Sequence, residues 1–384
     1  MTVYDVVQSR AGTLFAAIGP TPAVAALDTE GHERWRVTLP DSSVATLVCN
    51  RSGDVWAFGT GVTRVSSTGS VLWHSGSYGG GWRGAVDANG QSYLYTRTAG
   101  DAQVQLQAIA QDGTLRWLVP LGGTWSTNQA TPTVFAPPAV GPSGVVHVPR
   151  LIGKPVVVGL DAATGNVVTT ASSDVADASG FPTLSALAGV VVDAAENVYY
   201  SIGAWPWSGL VSATVDGTRR WASDAALVRG APVAWTGVGE QLVAQNAGGA
   251  AAPVLLGSDA LVGSSQQGLV DLSPGDGSVR AQSPTANKPA LTELLAGSLR
   301  VAAMTTGAGP IPGGTMIVDS SGKVVWSDPD LNAASVIPGA GVLYAIRHGQ
   351  LVAESASVVT GLDTGAWPMV AHDPGRTSSA AGAW

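Results

Sequence analysis

Short apolar runs alternate with turn residues along the whole chain. Each run begins with Gly or Asn, continues with a short segment rich in Val, Leu, Ala and Tyr, and is followed by a second run with period-two alternation. Such runs predict short β-strands joined by tight turns. Eight of these starts lie 37 to 58 residues apart, at 12–18, 53–59, 90–96, 144–150, 197–203, 239–245, 297–303 and 341–347.

A second pattern marks the end of each unit. A polar turn with a glycine precedes the last strand, as in "QDGTLRW" at 111–117. This corner glycine occurs at Gly31, Gly69, Gly113, Gly165, Gly217, Gly277 and Gly322. Five of the seven have a tryptophan four residues later, namely Trp35, Trp73, Trp117, Trp221 and Trp326. The copies at Gly165 and Gly277 lack this tryptophan, so we expect those two units to pack against their neighbours through other contacts.

Each unit therefore contains four antiparallel strands in roughly 40–50 residues, which is the size of a propeller blade. The sequence predicts an all-β fold, a β-propeller of four-stranded antiparallel blades. Stacked blades bury one another's apolar faces, and the repeated tryptophans supply large contact areas between neighbouring blades. Eight starts favour eight blades, whereas seven corners favour seven. We favour eight, with seven as the alternative.

The propeller is expected to span residues 1–361 as one domain, with 362–384 as a C-terminal tail that packs on it or trails from it. The last unit, at 341–355, has no glycine–tryptophan corner. Its outer strand must therefore come from 355–361 or from elsewhere in the termini. The most helix-like segment, 290–300, is interpreted as loop plus strand.

Composition narrows the classes of function. Of 384 residues, 50 are Gly and 23 are Pro, which suits an all-β protein with many turns. A net charge of −8 with only 12% charged residues disfavours nucleic-acid binding, which needs clustered Lys and Arg. No apolar run reaches the length of a membrane span. Because no signal peptide is recognisable, we expect a cytoplasmic protein, or a secreted or periplasmic one if a signal peptide was removed. The smooth repeat and the few charges suggest a monomer.

The corner sequences resemble a known repeat. "ALDTEGHERW" (26–35), "GLDAATGNVV" (159–168) and the tail "WPMVAHDPGRTS" (367–378) are similar to the tryptophan-docking repeats of the PQQ-like, quinoprotein-type bacterial propellers. The resemblance implies the propeller fold. Enzymes of that family hold the quinone against a vicinal disulfide, with Ca²⁺ bound by Glu, Asn and Asp. Since Cys49 is the only cysteine, no bound PQQ is expected. Non-catalytic relatives, which scaffold outer-membrane assembly or cap surface proteins, fit better.

Long loops predict a ligand-binding face. The connections between blades and the loops inside each blade's second hairpin lie on one face of a propeller, which is where propellers usually bind. Aromatic residues in these loops are Tyr78, Trp82, Trp125, Trp205 and Trp207, and polar residues near them are Arg83, Arg97, Arg150 and His348. This set predicts a binding or scaffold propeller that recognises a glycan, peptide or protein. Alternatively, these tryptophans pin the long loops onto the ring.

A second hypothesis is a hydrolase of the lactonase, esterase or phosphotriesterase type. It would use a divalent metal or an acid/base pair in the central channel. The channel candidates are Asp5, Asn50, Asp87 and Asp193. However, the turns around Asp87 and Asp193 place these two more naturally at hairpin corners, which weakens the hypothesis.

One acidic loop has the spacing of a calcium site. Asp328, Asp330 and Asn332 stand at positions i, i+2 and i+4, but the glycine and the distal Glu of a calcium loop are missing. The sequence therefore leaves open a weak Ca²⁺ site or an ordinary acidic loop.

Overall fold

The structure is a computed structural model of the 384-residue chain. It describes residues 2–50, 52–76, 84–97, 103–124, 138–150, 156–172, 186–204, 207–223, 234–238, 241–245, 254–256, 261–265, 268–284, 290–295, 299–305 and 312–360. Among these residues there is no helix, and so none that is long and apolar enough to cross a membrane.

The described strands form eight antiparallel sheets and one separate hairpin. We number the eight sheets as blades in chain order. The first blade contains β1 Thr2–Gln8, β2 Leu14–Gly19, β3 Ala23–Leu27 and β4 Glu33–Thr38, and the second contains β5 Val44–Cys49, β6 Val55–Gly59, β7 Gly61–Val65 and β8 Val71–Gly76. The third contains β9 Gly84–Val86, β10 Ser92–Arg97, β11 Gln103–Ile109 and β12 Leu115–Thr124, and the fourth contains β13 Ala139–Val140, β14 Val145–Arg150, β15 Val156–Asp161 and β16 Val167–Ser172.

The second half of the chain continues the series. The fifth blade is β17 Ala186–Val192, β18 Val198–Ala204, β19 Trp207–Ala213 and β20 Arg219–Ser223, and the separate hairpin is β21 Ala234–Val238 and β22 Gln241–Gln245. The sixth and seventh blades are β23 Val254–Leu256, β24 Leu261–Ser265, β25 Gly268–Leu272 and β26 Val279–Pro284; and β27 Ala290–Leu295, β28 Leu299–Thr305, β29 Pro312–Val318 and β30 Val324–Asp328. The eighth has three described strands, β31 Asn332–Gly339, β32 Val342–Arg347 and β33 Gln350–Ser355.

The blades follow one another around a closed ring. The first strand of each blade contacts the first strand of the next, and β31 of the eighth blade contacts β1 of the first. Closure is also seen in the backbone, where the amide of Val3 donates to the carbonyl of Gly349 at 2.7 Å. The all-β propeller prediction is confirmed, and the arrangement is consistent with the eight blades that the sequence favours.

Two sequence-based assignments change. The sequence predicts that the sixth unit starts at 239–245, but among the described strands Gln241–Gln245 pairs with Ala234–Val238 alone, in the separate hairpin. The second strand of that blade is instead Leu261–Ser265, because it pairs directly with the third strand before the corner at Gly277. Likewise, 290–300 contains a strand at Ala290–Leu295 and the start of β28, rather than a loop plus one strand.

Burial falls from the middle of a blade to its outer edge. All six residues of β2 are buried, whereas β4 alternates between exposed and half-buried residues. Middle strands have sheet neighbours on both edges and blades on both faces, while the fourth strand forms the rim. The rim strands carry apolar residues in water, such as Leu115, which is 58% exposed.

Each docking tryptophan joins two blades. Its indole Nε1 donates to a backbone carbonyl in the next blade's corner, at 2.8 to 3.2 Å in all five cases. The acceptors are Ser67 for Trp35, Gln111 for Trp73, Ala162 for Trp117, Pro274 for Trp221 and Ser355 for Trp326. The indole also lies on the corner glycine, so a Cβ at Gly165 would stand 2.8 Å from the Trp117 ring. The joint therefore requires glycine both for its φ of +73° and for the close approach.

Candidate functional site

The propeller has two faces, which we name by their connections. The corner face carries the seven corner glycines and the turns between first and second strands. The loop face carries the turns between second and third strands and the connections between blades, for example Thr60, His348 and 329–331. Antiparallel meanders place these two sets of turns at opposite ends of the strands.

The loop face contains those predicted ligand residues that the structure describes. Tyr78, Trp82, Arg83, Trp125 and Trp205 lie outside the described residues. Arg97 ends β10, Arg150 ends β14, Trp207 begins β19 and His348 lies in the β32–β33 turn. All four therefore stand at the connection between second and third strands of their blades. His348 is exposed and has a φ of +48°.

A charged cluster on this face was missed in the sequence. Arg347 ends β32, the position that Arg97 and Arg150 hold in their blades. Its Nη1 donates to Oε1 of Glu354 at 2.8 Å, and its Nη2 forms an ion pair with Asp328 of the seventh blade. The Arg347 side chain is 31% exposed. The cluster of Arg347, Asp328, Glu354 and the adjacent His348, here called the arginine cluster, holds partly exposed charges between the seventh and eighth blades. Asp328, Arg347 and His348 stand at the loop face, whereas Glu354 lies towards the other end of β33.

The predicted calcium loop belongs to the same cluster. Oδ1 of Asp328 accepts the amide of Asp330 at 2.9 Å, while Oδ2 is paired with Arg347. Asp330 is exposed, and Asn332 is described by its backbone position at the start of β31. A calcium ion in this loop would have to replace the Arg347 guanidinium at Asp328, and the calcium site stays a prediction.

A second polar cluster lies on the loop face of the second blade. Oδ2 of Asp41 accepts a hydrogen bond from Thr63 Oγ1 at 2.7 Å and lies 3.5 Å from His74 Nδ1. The Asp41 side chain is 3% exposed and that of His74 is 32% exposed. A buried carboxylate therefore lies beside a partly exposed imidazole, as in an oriented base.

The four channel candidates hold the backbone instead of converging on one point. Asp5 lies in β1, is 1% exposed, and accepts the Leu47 amide of the second blade at 2.8 Å. The other three lie in turns between first and second strands: Asn50 accepts the Asp54 amide, Asp87 accepts those of Asn89 and Gln91, and Asp193 accepts those of Ala195 and Asn197. Within the described ranges, potential metal ligands gather in a group of three only at Asp28, Glu30 and His32, in the first blade's corner.

One histidine is buried inside the ring. His147 of β14 is 1% exposed, and its Nε2 has no hydrogen-bond partner among the described residues. Burial lowers the pKa of His147 to about 4, with the Glu196 carboxylate acting in the opposite direction. The imidazole is therefore neutral in the folded protein at neutral pH.

This histidine predicts sensitivity to acid. In the unfolded chain the pKa of His147 returns to about 6.5, so between pH 6.5 and 4 the unfolded state binds more protons. Stability is fully present above pH 6.5 and falls as the pH drops towards 4, by up to about 1.4 kcal/mol per pH unit. Urea titrations of wild type and His147→Leu across this range should show a shallower pH dependence in the variant. Parallel curves would contradict the assignment.

The fold defines the class of protein: this chain is a β-propeller. No protein-family model matches it, and no curated protein matches its sequence. Solved structures do match. BamB from Moraxella catarrhalis is 14% identical, with a TM-score of 0.62 over 90% of this chain and 94% of that chain. Sqt1 from Saccharomyces cerevisiae is 10% identical, with a TM-score of 0.60 over 92% of this chain and 97% of that one.

A further match is the C-terminal WD40 domain of Sif2, 10% identical, with a TM-score of 0.60 over 91% of this chain and 95% of that domain. At these identities the similarity shows the fold alone, since one fold serves many functions. The resemblance to the quinoprotein-type repeat family stays a prediction.

Proposed function

We propose that this chain is a binding or scaffold propeller whose loop face recognises a protein or peptide partner. The arginine cluster carries the proposal, because Arg347, Asp328 and Glu354 are held in fixed positions while remaining partly exposed. Charges that are positioned before binding favour specific, oriented docking, since fewer side chains must be ordered when the partner arrives.

The chemistry of the loop face favours a macromolecular partner. Small-molecule sites are concave and mostly apolar, whereas the two described clusters on this face are polar and partly solvated. They occupy the second blade and the junction of the seventh and eighth blades. A partner that spans several blades would engage both. The net charge of −8 favours a partner with basic groups through long-range attraction.

Site-specific cross-linking tests the proposal. A photo-reactive amino acid at His348 should yield a discrete adduct with one protein in an extract of the producing cells. The same group at Lys323, exposed on the corner face, is the matched control and should yield none. With the isolated partner, Arg347→Ala should weaken binding about tenfold or more, equal to about 1.4 kcal/mol. Equal adducts at both positions, or unchanged affinity in the variant, would refute the proposal.

The Asp41–His74 pair favours hydrolysis as a second candidate function. Asp41 and Thr63 both lie at Nδ1 of His74, so its Nε2 atom is the ring nitrogen left to take a proton from water. The test is a panel of ester, lactone and phosphotriester substrates with and without chelator. Turnover that His74→Ala abolishes would support this candidate, and turnover equal in both proteins would reject it.

A further inference from the structure

The eighth blade ends after its third strand in the described part of the chain. β33 is followed by 356–360. In this segment the amide of Ala356 donates to the carbonyl of Gly341 at 3.0 Å, and the carbonyl of Val359 accepts from the amide of Gly341 at 2.7 Å. The same kind of bond, Ala162 to Gly144, starts the corner of the fourth blade. The chain at Thr360 therefore stands on the corner face, at the place where other blades turn into their fourth strand.

Three complete blades share a row of side chains across the sheet. An aromatic residue on the second strand pairs with a small residue on the third, and this residue pairs with the docking tryptophan on the fourth. The rows are Phe15–Ala26–Trp35, Tyr93–Ala108–Trp117 and Tyr199–Ser212–Trp221. In each row the two ring centroids lie 5.8 to 6.0 Å apart.

The eighth blade contains the first two members of this row. Tyr344 on β32 pairs with Ala353 on β33. Tyr344 belongs to the cluster with Val6 and Leu14 of the first blade, so it faces the next blade as the other row aromatics do. Within the described residues the row has no third member. By comparison with the three complete rows, we expect an indole beside Tyr344.

The receiving corner of the first blade is open in the same way. A Cβ placed at Gly69, Gly113, Gly165 or Gly277 would lie 2.5 to 2.8 Å from the preceding blade's tryptophan. At Gly31, no described atom lies within 4 Å of that position. Gly31 is also exposed, whereas Gly165 and Gly277 are buried. Among the described residues, both halves of the joint between the eighth and first blades are thus present, and neither contacts an indole.

We propose that Trp367, in the C-terminal segment 361–384, docks on Gly31 and that its segment supplies the fourth strand of the eighth blade. Its Nε1 would donate to the carbonyl of Thr29, two residues before Gly31, as Trp35 and Trp73 donate to the residues two before Gly69 and Gly113. The segment would therefore complete the eighth blade and its joint with the first blade.

The length of the chain fits this occupant. In five blades the tryptophan follows the last residue of the third strand by eight residues, for example Ile109 and Trp117. Counted from the middle residue of each row, the tryptophan follows by nine in the three complete rows, whereas Trp367 follows Ala353 by 14, which leaves five additional residues for the turn. From Thr360 an extended chain of seven residues reaches about 23–25 Å. A tethered segment also has an effective concentration near the millimolar range, which favours it over a tryptophan from another protein.

Thermal unfolding of matched variants tests the joint. Gly12 and Gly31 have φ values of +84° and +88° with no described atom near the Cβ position, so Gly12→Ala carries the backbone strain alone. Gly31→Ala should lower Tm more than Gly12→Ala in wild type, and equally in a Trp367→Ala background. Trp367→Ala should lower Tm by about 4–6 °C, and Trp384→Ala, in the same segment, by much less.

Hydrogen exchange of the wild-type chain gives a second measurement that needs no variant. Amides around Trp367 should be protected as in the other fourth strands. Equal Tm changes for the two glycine variants in both backgrounds would overturn the proposal, as would a larger effect of Trp384→Ala. Exchange of the segment at the rate of free chain would overturn it too.

Discussion

Replacing Trp117 by alanine is expected to lower the free energy of unfolding by about 3–5 kcal/mol. Trp117 is 8% exposed and lies with its ring centroid 5.9 Å from that of Tyr93. Its Nε1 donates to the carbonyl of Ala162 at 2.9 Å, but Gln91 Nε2 also donates to this oxygen, at 2.6 Å. Since the carbonyl keeps a partner in the variant, the loss comes mainly from the cavity between the third and fourth blades.

Urea unfolding of Trp117→Ala measures this loss. Leu115→Ala is the matched control, because Leu115 lies two residues earlier on the same strand and is 58% exposed. The control should change stability by no more than about 0.5 kcal/mol. If both variants lost the same amount, the tryptophan would not be a structural joint, and the repeated motif would need another explanation.

The blade pattern could be predicted because its determinants are local. A corner requires a glycine with φ near +80°, and the five tryptophans follow at a fixed spacing, so neighbouring residues define the unit. The sixth blade was assigned wrongly where two apolar segments, 241–245 and 261–265, compete for the same strand. Which segment is the second strand of the blade depends on pairing with the third strand, and a short stretch of sequence does not show which strands pair.

The sequence shows which described residues stand at the loop-face turns, but not how the charged groups on that face are paired. The strand pattern placed Arg97, Arg150 and His348 at the turns of one face, because the location of a hairpin turn follows from the strands that flank it. The ion pair of Arg347 with Asp328 joins two blades, and Asp41 meets His74 across 33 residues of sequence. Such contacts depend on how blades stack and on the sheet register, so spacing could not reveal them.

The missing tryptophan of the fourth blade has a structural substitute, and it yields the second large prediction. Thr169 stands four residues after Gly165, where other blades have tryptophan. Here the backbone itself approaches the next corner: a Cβ at Gly217 would lie 2.3 Å from the carbonyl oxygen of Thr170 and 2.8 Å from its carbon. Close backbone packing thus replaces the indole between the fourth and fifth blades.

Gly217→Ala is therefore expected to destabilise the protein by about 3 kcal/mol, more than backbone strain explains. An alanine at φ +86° costs about 1–2 kcal/mol by itself. Gly144→Ala isolates that strain, because Gly144 has φ +84° and its Cβ position lies 3.8 Å from the nearest atom, in Ala162. The overlap at Gly217 involves a carbonyl that cannot rotate away as a side chain would, so the two blades must separate. Equal free energies of unfolding for the two alanine variants would show that the blades do not touch at Gly217; a larger loss in Gly217→Ala would place the joint there.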